Sequence, residues 1–155
     1  MDIEAPDTTL ASEVTDMWVD LAEGQRDFGS HLLPEDNRTR IRESVVRHIV
    51  TDSLLVARED GDLVGFVMFS VESSSYEQDV RRGVVENLFV AESYRRETVG
   101  AQLLEAAESV LADRDVEVVA LEVMEANEEG RTFYADHGYE PHRLELEKSL
   151  ESDTD

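Results

Sequence analysis

The stretch VVENLFVAESYRRETVGAQLL, Val84 to Leu104, runs from a β-branched strand into an amphipathic helix through a short turn that holds Arg95 and Arg96. A helix start presents unpaired backbone N–H groups and a partial positive charge, so Glu97, Thr98, Val99, Gly100 and Ala101 stand where phosphate oxygens would bind. Gly100 lets a ligand approach the backbone with no Cβ in the way. The two arginines can pair with a diphosphate, and they matter more in a chain whose overall charge repels anions. The competing reading is an ordinary strand-to-helix connection with surface arginines.

Two carboxylates lie in otherwise apolar strand patterns. By alternation, Glu86 shares a face with Val84, Leu88 and Val90, and Glu122 shares one with Val118, Ala120 and Met124. Burial there would raise a carboxylate pKa towards neutrality, which suits a general base. A partly solvated edge, or a structural pair with an arginine, is the competing reading for each.

The elements that must position these residues follow from periodicity. Leu10, Val14, Met17, Trp18 and Leu21 predict a helix over residues 9–24, and Ile41, Val45, Val46, Ile49 and Val50 predict a second one ending near residue 50. Residues 53–58 and 63–71 are apolar, β-branched runs joined by Glu59-Asp60-Gly61-Asp62, whose Asp-Gly step signals a hairpin. The serine-rich stretch 73–82 reads as an exposed loop. A strand over 84–90, a helix over 99–111 and a strand over 116–124 make a βαβ unit, with parallel strands and a right-handed crossover. A short helix over 127–137 stops at Gly138, and residues 139–150 contain a last strand. Residues 1–150 thus form one domain, and 151–155 a loose acidic tail.

Composition narrows the function. Asp and Glu total 37 against 14 Lys and Arg, a formal charge of -23. That argues against nucleic acid and anionic membranes as partners, because both demand a basic face. At 41% apolar residues the chain is too hydrophobic for a disordered acidic segment, so the acids must coat a folded body. Lys148 is the only lysine. The self-repulsion of such a coat fades in molar salt, where the Debye length falls to about 3 Å, and this predicts a halophilic, cytoplasmic protein. An acidic mesophilic domain is the plainer alternative. The absence of cysteine excludes disulfides and thiolate metal sites. His31, His48, His137 and His142 contain no i, i+4 pair, so no metal site is expected. The start of the chain lacks a basic, apolar leader, and the longest apolar run, 63–69, is far short of the roughly 18 residues that span a bilayer.

The segment Leu88-Phe89-Val90, followed by Tyr94-Arg95 and by Gly100, resembles the cofactor motif of the GNAT superfamily of N-acetyltransferases, with Thr98 where that motif carries its first glycine. A second stretch, LEVMEANEEGRTFYADHGYEP from residue 121, is similar to that family's later strand, asparagine and tyrosine-bearing helix. Leu121, Glu122, Val123, Asn127 and Tyr134 most resemble N-terminal protein acetyltransferases of the ribosomal-protein-alanine type.

The resemblance implies an α/β GNAT fold: a mixed, mostly antiparallel sheet of six to seven strands with a central parallel pair and helices on both faces. It implies acetyl-CoA as cofactor, its pantetheine arm added as a strand along Leu88, Phe89 and Val90, its diphosphate at residues 95–101, and its arm held by Asn127 and Tyr134. The expected reaction is direct acetyl transfer to a primary amine, on a protein N-terminus or a small molecule. It needs a base, Glu122 or Glu86, and an acid for the departing thiolate, Tyr134. Asn127 also reads as a plain helix N-cap, and Tyr134 as a core aromatic. The alternatives are a non-catalytic acyl-CoA sensor, suggested by Thr98, and an interaction domain that forms a homodimer.

Overall fold

The computed structural model describes residues 1–95 and 98–151. Its sheet has the order β1 (Asp2–Glu4), β2 (Leu54–Glu59), β3 (Asp62–Val71), β4 (Arg82–Val90) and β5 (Val118–Leu121). β1 to β4 pair antiparallel with their neighbours, and β4 and β5 pair parallel. At the β2–β3 turn, Asp60 and Gly61 have φ of 51° and 87°. Both are left-handed, as a two-residue hairpin turn with the twist of its strands requires.

Helices cover both faces. α1 (Ala11–Arg26) and α2 (Arg38–Val50) set Val14, Val19, Ile41, Val45 and Ile49 against Leu54, Val56, Phe66, Met68 and Phe89. On the other face α3 (Val99–Asp113) sets Leu103, Leu104, Ala107 and Leu111 against Val64, Val67, Phe69 and Val85. α4 (Glu128–Asp136) adds Phe133 and Tyr134 to that second core. No described helix is long and apolar enough to cross a membrane.

Three expectations are corrected. The described residues form five strands, not six to seven, so the parallel pair lies at the sheet edge instead of its centre. Residues 139–150 contain no strand. Leu144, Leu146 and Leu150, whose alternation suggested one, are 81%, 87% and 90% exposed. The strand expected over 116–124 is confined to Val118–Leu121, because only Arg82 to Val85 of β4 offer it partners.

Candidate active site

The site begins where two strands part. The parallel ladder ends at the pair Val85 and Leu121, whereas β4 stays paired with β3 as far as Val90. Residues 86–90 therefore have one edge without a partner strand among the described residues. An extended peptide-like ligand can add to such an edge through main-chain hydrogen bonds. Leu88, Phe89 and Val90 all lie along it.

A bulge sits where the slot opens. Met68 stands opposite Asn87 and Phe69 opposite Val85, so Glu86 is the extra residue of β4. An inserted residue interrupts the alternation of faces. Leu88 and Val90 consequently pack in the α3-side core, while Glu86 reaches α2 and meets His48 Nε2 at 2.5 Å. The neighbouring Asn87 also faces the α1–α2 layer, where its Oδ1 accepts from Trp18 Nε1 at 3.0 Å. The face expected for Glu86 with Leu88 and Val90 is thus corrected. So is its burial, since the carboxylate side chain is 37% exposed.

Glu122 is likewise exposed and lies one residue beyond β5, not on an apolar strand face with Met124. The physical reason is the same early end of the ladder.

At the far end of the slot α3 starts. Its first main-chain bond runs from Gln102 N–H to the Thr98 carbonyl at 3.0 Å, so the N–H groups of Val99, Gly100 and Ala101 have no helical acceptor. Thr98 supplies no side-chain cap, and the first turn carries no acid. Thr98 has φ of -83°, an ordinary angle for a β-branched residue. A Cβ at Gly100 would stand 3.4 Å from Phe133 Cζ and 3.7 Å from Val90 Cγ2, so the bare glycine brings the end of β4, the start of α3 and α4 together.

Arg95 lies beside this end. Its Nε donates to the Val90 carbonyl at 3.0 Å, and its guanidinium lies 5.9 Å from the centre of the Phe89 ring. Arg96 and Glu97 lie outside the described residues. A cleft of about 400 Å³ opens beside Arg95, floored by Met17, Leu63, Phe89 and Ala91 and edged by Asp20 and Glu92.

On α4, Tyr134 is partly buried and in edge contact with Phe133 at 5.2 Å between ring centres. Burial pushes its phenol above the ordinary value of 10, so it holds its proton throughout the neutral range. Asn127 caps α4: its Oδ1 accepts from Gly130 N–H at 2.9 Å, which leaves its Nδ2 donors for a ligand. Arg131 pairs with Glu125 at 3.6 Å.

His48, the Trp18–Asn87 pair and Gly65 were not among the site residues expected from the sequence. His48 borders the buried stripe of Val45 and Ile49, and an ionisable side chain in that position was its signal. Gly65 faces the Phe89 carbonyl so closely that a Cβ there would lie 2.5 Å from the oxygen.

The model of the acetyltransferase (GNAT) family matches residues 15–139, and the chain belongs to that family. An uncharacterized N-acetyltransferase of Archaeoglobus fulgidus is 36% identical over 84 residues, which are 54% of this chain and 57% of the relative. The chain spans about half the length of the curated relatives it matches. Among solved structures, a mutant of the BH1408 protein from Bacillus halodurans superposes with a TM-score of 0.80 at 18% identity, covering 97% of this chain and 99% of that one. The PaiA N-acetyltransferase of Thermoplasma acidophilum, solved in complex with coenzyme A, gives 0.78 at 17% identity, covering 93% and 92%.

Proposed function

We propose that this protein is an acetyl-CoA-dependent N-acetyltransferase that moves an acetyl group directly to a primary amine. The observation that carries the reading is the unpaired edge of residues 86–90 leading to the uncapped start of α3. That edge fits a pantetheine arm as an added strand. The N–H groups of Val99, Gly100 and Ala101, with Arg95 beside them, fit a diphosphate. Bound acetyl-CoA supplies an activated thioester carbonyl.

The chain's residues supply the proton chemistry. Glu86 takes a proton from the acceptor ammonium at a carboxylate oxygen and leaves a neutral nucleophile. Tyr134, protonated at neutral pH, donates its phenolic proton towards sulfur. Asn127 holds the arm through Nδ2. Glu86 is favoured over Glu122 because His48 orients it. Backbone N–H groups near Val90 polarise the thioester.

The acceptor is a protein N-terminus, as the Leu121–Val123 and Asn127 likeness favours, or a small-molecule amine. It enters by the α1–α2 connection and the 73–81 loop. We place the protein in the cytoplasm of a salt-adapted organism, where screening offsets the -23 charge. Thr98 adopts an unstrained backbone, which removes the motive for a non-catalytic sensor. The test is release of free CoA in molar KCl with a panel of amines. Turnover with at least one amine is expected, and acetyl-CoA binding without transfer to any would restore the sensor.

A further inference from the structure

His48 stands outside the resemblance, yet it makes the closest contact to the candidate base. Its Nδ1 lies 2.7 Å from the Ser44 carbonyl oxygen, with Ser44 Oγ at 3.4 Å. A carbonyl only accepts, so Nδ1 carries a hydrogen. The other nitrogen, Nε2, lies 2.5 Å from Glu86 Oε2. A bare Nε2 lone pair facing a carboxylate at that distance is repulsive, so one proton sits between them. The ring is only 13% exposed, and α2 and the bulge in β4 hold the two partners from opposite sides.

We propose that His48 is the positioning residue and proton partner of Glu86: the two share one proton, and its departure frees Glu86 to act as the base. This rests on the acetyltransferase reading for its role in turnover, but the shared proton stands on geometry alone. While the pair is protonated, Oε2 is engaged by the proton on Nε2. Once His48 is neutral, a proton leaves the acceptor nitrogen for a Glu86 oxygen and passes to Nε2, and the lone pair left on nitrogen becomes the nucleophile.

The electrostatics agree. Burial is the largest single influence on His48 and acts to lower its pKa, but the hydrogen bonds to Glu86 and Ser44 and the charge of Glu86 outweigh it. The imidazole therefore ends above its ordinary 6.5. The charged groups that act on it are Glu86 from β4 and, in opposition, Arg47 on its own helix.

The test uses the full chain in molar KCl. Side-chain NMR resolves the four histidines, and His48→Gln identifies the His48 signal. The wild-type imidazole should keep its Nδ1 hydrogen and titrate above 6.5, and in Glu86→Gln its midpoint should fall. An unmoved midpoint in Glu86→Gln, or a wild-type Nε2–H tautomer, overturns the shared proton. In kinetics with acetyl-CoA and an alanine-initiated peptide, spermidine or kanamycin, wild-type kcat should rise with pH through the His48 midpoint. His48→Gln should lower kcat about tenfold, below the range typical of a direct general base, leave KM for acetyl-CoA unchanged and abolish that limb. A retained limb overturns the relay. Wild-type protein inactive towards all three amines would count against the acetyltransferase reading, and the NMR titration would still decide the pair.

Discussion

Glu86 and Glu122 each follow directly on the last residue of the parallel ladder, Val85 and Leu121. Two carboxylates therefore flank the point where the strands part, one on each. They differ in their partners: Glu86 is held by an imidazole, and Glu122 makes no ion pair among the described residues.

That difference separates them kinetically. Glu86→Gln should lower kcat by about a hundredfold, within the range for a general base, and Glu122→Gln by much less. Steady-state rates of the two variants across pH check the assignment, and equal losses would contradict it.

Tyr134→Phe should cost little stability, because the hydroxyl makes no hydrogen bond among the described residues and is not sealed from solvent. On its proposed role as proton donor to sulfur, loss of the hydroxyl should lower kcat about a hundredfold. Melting temperature and rate, measured on the same sample, test the two halves separately.

Much of this arrangement was legible in the sequence, and what was hidden has a common cause. The α3 stripe of Leu103, Leu104, Ala107 and Leu111 faces one core as its spacing requires. The Asp60-Gly61 turn forms the hairpin its dipeptide signals. The bulge at Glu86 was invisible, because register belongs to a pair of strands and Met68 decides it as much as Asn87. The alternation of Leu144, Leu146 and Leu150 misled for a related reason: a pattern marks a strand only where a partner edge accepts it. β1, three residues long, was too short to carry a pattern.

Gly65→Ala should destabilise the fold by about 1–3 kcal/mol or more, the range for overpacking a core. Its Cβ would meet the Phe89 carbonyl oxygen, a backbone atom that cannot swing aside. Urea denaturation measures the loss.

Stability should also depend on pH through His48. Its folded pKa is raised, so its contribution is complete below pH 6.5 and is lost as pH rises through the folded value. Glu86→Gln should flatten that dependence. Melting temperatures between pH 5 and 9 in fixed salt report it.

The acidic coat gives a salt dependence of definite sign. Screening of a -23 charge should raise the melting temperature as KCl increases from 0.1 to 2 M, as the Debye length falls from about 10 Å to under 3 Å. A falling midpoint would mean that exposed ion pairs such as Arg38 with Asp16 and Glu35 outweigh self-repulsion.

The proposed function stands or falls on whether the parted strands and the start of α3 hold acetyl-CoA. Thermal unfolding in molar KCl, with and without acetyl-CoA, decides this. Ligand at a hundred times its dissociation constant stabilises by about 2.7 kcal/mol, which raises the midpoint of a domain this size by several degrees. That rise is expected for the wild type, and a smaller one for Gly100→Val, whose side chain would push against Phe133. An unchanged midpoint at millimolar acetyl-CoA would contradict it.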